Sequence, residues 1–137
     1  MTSRWLRISA WVGIVFGVVL LLGETRRNWG DWGHWASYTF DYLFAVLLIV
    51  FGMLILKGRA WGRALLIASW VLTIALFTYS FVGHVRTLDE PTYGPVPHPR
   101  LTIVIGALDL VAVAGLVLAL ASFRRREVGK TERAAFS

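Results

Sequence analysis

LTIVIGALDLVAVAGLVLALASF, residues 101–123, followed at once by arginines at 124, 125 and 126, is the stretch that decides the fold. Across its 23 residues Asp109 is the only charged side chain. As a helix it rises about 35 Å at 1.5 Å per residue, enough to cross the ~30 Å hydrocarbon core of a bilayer. Hydrocarbon offers no partner to a backbone N–H or C=O, and a helix satisfies both from within. The arginine triplet then reads as a cytoplasmic stop.

Three more apolar blocks precede it, giving spans at about 5–23, 37–56, 64–83 and 101–123. The chain has 137 residues, 57% of them hydrophobic, with a mean hydropathy of +0.65. A soluble domain of this length would need far more polar surface, and its apolar residues would not arrive in long blocks. The expected fold is an all-α membrane protein, a four-helix transmembrane bundle of two antiparallel hairpins. Residues 1–123 form its single domain and 124–137 a basic cytoplasmic tail, too short and polar to fold alone. The connection Lys57-Gly58-Arg59-Ala60-Trp61-Gly62-Arg63 is so short that it forces its neighbours into a hairpin. The other long connection, 84–100, holds all four prolines and favours extended backbone.

Charge sets the expected orientation. The N-terminal segment, the central connection and the tail lie on one side and carry ten of the fourteen Lys and Arg residues. Arg26, Arg27, Arg86 and Arg100 lie on the other. The excess of basic residues places both termini in the cytoplasm and the chain in a cell membrane of the bacterial inner type. The net charge of +6 flanks the apolar blocks and forms no separate patch, which argues against nucleic acid as a partner and for the lipid bilayer. Arg4 and Arg7 before an apolar run resemble a signal peptide. Cutting after Gly23 would put Leu21 at the −3 position, where a small residue is needed, so the first span is expected to stay.

With no cysteine, disulfides, thiolate metal sites and cysteine nucleophiles are excluded. GxSxG, HExxH, P-loop and GxGxxG arrangements are also missing, so the expectation is a non-enzyme that needs no cofactor. His34, His84 and His98 all fall on the outer side near Asp31, Asp89 and Glu90. They lack ligand spacing such as HxxxH and read as solvated loop residues rather than a metal site. Trp29, Trp32 and Trp35 recur every third residue and, with Trp61, read as an interfacial aromatic belt. A short interfacial helix would put the first three on one side.

Two features inside the spans bear on function. Gly13 and Gly17 share one helical face, where another backbone can approach closely, either from the same chain or from a second copy. Asp41 and Asp109 are the acids within the spans. Fifteen uncharged residues separate Asp41 from Lys57, and fourteen separate Asp109 from Arg124. Both carboxyls therefore lie roughly 21–24 Å above the inner basic rim. With Trp11-Val12 matching Trp70-Val71, this points to a parallel repeat of two hairpins. A carboxyl within a span costs about 2.5–3.5 kcal/mol on insertion scales and is seldom kept idle. Thr73, Tyr79 and Tyr42 are partners at compatible depth for Asp109.

Two functions fit. The first is a small accessory or assembly subunit, or a homo-oligomer, acting through helix–helix and outer-loop contacts in a larger membrane complex. The second is a small proton- or cation-linked transporter that uses Asp109 and Asp41, with Tyr79 and Thr73 beside them. There, two adjacent carboxyls would share a proton.

Overall fold

The computed structural model describes residues 3–27, 29, 30, 35–59, 61–88 and 98–135, with side chains at all of these except 35–38, 98 and 123–135. The described residues form four helices: α1 (Arg4–Arg27), α2 (Trp35–Leu56), α3 (Gly62–Arg86) and α4 (His98–Ala135). Each is long and apolar enough to span a membrane.

Local chemistry sets their ends. The Ser3 hydroxyl caps α1 by accepting the Leu6 N–H at 3.2 Å. At the end of α2, Gly58 adopts φ 77°. Its N–H donates to the Ile55 carbonyl, and the Arg59 N–H to that of Leu54, each at 3.0 Å. These paired bonds form a Schellman turn, which glycine alone adopts without strain. Pro99 falls in the first turn of α4, where its missing N–H costs nothing.

The tail departs from expectation, because α4 continues past the arginines to Ala135. A segment rich in Arg, Glu, Lys and Ala, grown from an existing helix, avoids the cost of nucleation.

The helices form a square in which α1 meets α2 and α4, and α3 meets α2 and α4. Neighbours are antiparallel. One end of the bundle carries the two long connections and is called here the loop end. The other, with Arg4 and the Lys57–Trp61 turn, is the termini end.

The α1–α2 seam is built from backbone. A Cβ on Gly17 would lie 2.6 Å from the Ala45 carbonyl oxygen and 2.7 Å from the Ile49 side chain. A Cβ on Gly52 would lie 2.8 Å from both the Ala10 carbonyl oxygen and the Ile14 side chain. The seam is thus self-complementary, with Ala10, Ile14 and Gly17 facing Gly52, Ile49 and Ala45 in reverse order. Its sequence signal is IVFG, present at 14–17 and again at 49–52, each preceded by an alanine four residues before the isoleucine.

Trp70 fills the centre. It is fully buried and reaches from α3 across to the diagonal helix α1. There it meets Phe16 edge-on at 5.7 Å, and Phe16 meets Phe77 in the same manner at 5.8 Å. The Trp70 Nε1–H donates to the Ser9 hydroxyl at 3.1 Å, and Ser9 donates to the Gly115 carbonyl at 2.7 Å. One chain of hydrogen bonds therefore joins α3, α1 and α4. Trp11, the expected counterpart of Trp70, is 56% exposed. The parallel hairpin repeat does not extend to these two tryptophans, and the stronger internal likeness is the antiparallel one between α1 and α2.

Candidate functional site: the loop-end cleft

At the loop end α3 stands away from α2, while keeping its contact with α4, around a cleft of about 800 Å³. α2 and α3 are close at the opposite end, where a Cβ on Gly62 would lie 3.1 Å from Leu54, but one on Gly83 would meet nothing within 4 Å. Glu24 and Arg27 reach the cleft from the last turn of α1, and Asp41 from α2. Tyr79, His84 and Arg86 line it from α3, while Phe77 and Ile105 form apolar wall.

The polar groups in it are organised. Arg27 pairs with Glu24 at 2.8 Å. Both groups act electrostatically on Asp41. His84 donates its Nδ1–H to the Ser80 carbonyl at 2.8 Å, one turn back on the same helix. Nearby on the α1–α2 side, Thr25 donates to the Leu21 carbonyl at 2.7 Å. Its hydroxyl proton is thereby used, so Tyr42 is the donor in the 2.8 Å bond between the two hydroxyls.

The four residues expected to form one proton or cation site part company. Asp41 and Tyr79 line the cleft, and Tyr79 is 82% exposed. Thr73 is fully buried and donates to the Ser69 carbonyl of its own helix at 2.7 Å. Asp109 lies in the α3–α4 seam, where Thr78 donates to its Oδ2 at 2.8 Å. Its Oδ1 is buried with no hydrogen-bond partner among the described residues. Asp41 and Asp109 do not share a site: the cleft takes Asp41 from α2 and Ile105 from α4, whereas Asp109 is held by Thr78 in the α3–α4 seam. Thr78 was missed as the partner because depth says nothing of helix rotation. Tyr42, also expected beside Asp109, pairs with Thr25 instead.

Gly13 and Gly17 are both buried within the chain. Gly17 meets α2, and Gly13 looks toward Trp70 and Leu66 of α3 with ordinary clearance. The small-residue face is therefore filled by this chain's own helices.

Trp29 is exposed in a turn with Gly30 at φ 87°, whereas Trp35 opens α2. Residues 31–34, which would carry the rest of the expected interfacial helix, lie outside the described residues. Trp32 and His34 lie outside the described residues, as does the side chain of His98. Trp61 is exposed beside the α2–α3 turn. Among the described residues no three His, Asp or Glu side chains gather as a metal site would require. No known family model, curated protein or solved structure matches this chain.

Proposed function

We propose that the chain is a multi-pass membrane protein of the bacterial inner-membrane type, with both termini in the cytoplasm and the loop end outside. Its function is non-catalytic, as an accessory or assembly subunit that works by contact. The observation that carries this reading is how the buried hydroxyls are used. Ser9, Ser69, Thr73 and Ser122 each donate to a backbone carbonyl. Ser9 reaches Gly115 on α4 and so ties two helices, while the other three bond back within their own helix; hydroxyls engaged in either way are poorly placed to activate a substrate. Because the Gly13–Gly17 face is filled internally, partner contact falls to other surfaces. The groove between α1 and α4, about 410 Å³ and lined by Trp11, Val15, Val19, Leu108 and Val111 among others, is wholly apolar. Purification from native membranes in mild detergent, with mass determined on the intact complex, tests this. A second polypeptide at fixed stoichiometry supports the accessory reading, and a bare monomer contradicts it.

One observation favours the carrier as a second reading. The cleft brings a carboxyl and an ion pair to a pocket open at one end, and the buried Trp70 closes the interior beyond it. That is how a carrier looks when it faces one side. In this version Asp41 does the binding and Asp109 holds the α3–α4 seam. Flux into proteoliposomes that disappears in Asp41→Asn, with assembly intact, supports it. Equal flux in both proteins removes it.

A further inference from the structure

We infer that the loop-end cleft binds an ammonium group carried on an apolar body. The inference names the ligand class for the cleft of the carrier reading, but it concerns equilibrium binding and does not require that the ligand be transported. The volume, about 800 Å³, is that of a site for a small organic molecule rather than for a bare ion.

The charges in the cleft select the sign. Glu24 and Arg27 neutralise one another at 2.8 Å. Of the groups outside that pair, Asp41 is half-buried within α2, His84 has its Nδ1–H on the Ser80 carbonyl, and Arg86 is exposed at the last residue of α3. The inner charge is therefore negative and the positive one stands at the mouth. A ligand enters with its cation leading, and any anionic group on it stays near Arg86.

The walls select the rest. Tyr79 offers a largely uncovered ring, and cations are attracted to such faces. Phe77, Leu76 and Ile105 present the hydrocarbon surface that an organic body, and not a metal ion, would use. Val82 and Tyr79 are exposed and also line the cleft, so it opens sideways as well as endwise. A ligand can enter from the apolar phase as well as from water. The same chemistry is found in a zwitterionic lipid headgroup and in a free hydrophobic amine.

The test uses the full chain in nanodiscs of phosphatidylglycerol alone, titrated calorimetrically with benzyltrimethylammonium. A parallel sample in phosphatidylglycerol with phosphatidylethanolamine is examined by native mass spectrometry. Saturable binding of the free quaternary ammonium identifies a soluble ligand. Selective retention of phosphatidylethanolamine at one per chain, with weak binding of the quaternary ammonium, identifies a lipid. In either case Asp41→Asn weakens binding at least 10-fold, and Asp109→Asn, outside the cleft, leaves it within 2-fold. Gly83→Leu, filling the open side without touching a charge, abolishes binding and serves should Asp41→Asn fail to fold. Neither probe binding, or binding that both cleft variants leave unchanged, overturns the inference.

Discussion

The two hairpins are fastened by different means. Between α1 and α2, backbone meets backbone: Gly17 lies against the Ala45 carbonyl and Gly52 against that of Ala10. Between α3 and α4, side chains set the spacing. Trp70 lies over Gly115, Phe81 over Gly106, and Thr78 bonds to Asp109. A backbone contact has no rotamer to change, so the first seam has one arrangement. A side-chain contact has alternatives, at a cost of rotamer strain. The cleft draws on both hairpins: Glu24, Arg27 and Asp41 come from the first, and Tyr79, His84 and Arg86 from the second. The cleft's longest wall is α3, and Asp109 has its Thr78 bond on the second hairpin.

This contrast can be broken or sharpened by substitution, read as unfolding in SDS-containing micelles with the chain's own tryptophans as reporters. The largest effect belongs to the backbone seam. Gly17→Ala and Gly52→Ala each lose about 3 kcal/mol, because the added methyl overlaps a carbonyl oxygen that cannot step aside. Unfolding like wild type in either would remove the seam from the account. For the same reason, bulky residues at Gly17 damage the fold itself and do not report on a partner.

Gly115→Ala comes next, at about 2 kcal/mol, since the methyl meets the ring of Trp70, a side chain that can move but is fully buried. A loss matching that of Gly17→Ala would erase the distinction between the hairpins. Asp109→Asn is smaller, about 0.5 kcal/mol, as expected for one interhelical hydrogen bond in a membrane protein. Thr78→Val in the Asp109→Asn background then adds little. Two full, additive losses would show that the pair does not act as a unit. Smallest of all is Gly23→Ala, where an added Cβ meets nothing within 4 Å. It stabilises by a few tenths of a kcal/mol through helix propensity.

Much of the architecture was legible in the sequence, because hydropathy and length act on each segment independently of the others. Four apolar blocks gave four helices, with boundaries displaced by only a few residues except in the tail. Rotation about each helix axis was not legible. A bilayer-facing and a core-facing residue are both apolar, so Trp11 and Trp70 read alike although one is exposed and the other central. The same blindness paired Asp109 with Asp41 by depth, when rotation assigns them to different sites. Gly17 was visible as a close-approach residue, but its partner became identifiable only in the structure, where Ala45 and Ile49 face it. The cleft had no sequence signal of its own, since it arises where α3 leaves α2.

In the proposed topology both hairpins start and finish on the cytoplasmic face, with the cleft outside. The chain has no cysteine, so single cysteines can be placed cleanly. Trp29→Cys and Arg59→Cys, treated on intact cells with a membrane-impermeant maleimide, test it most directly. The account predicts labelling at 29 at once and at 59 only after the membrane is permeabilised. Labelling of both on intact cells, or of 59 alone, would contradict it.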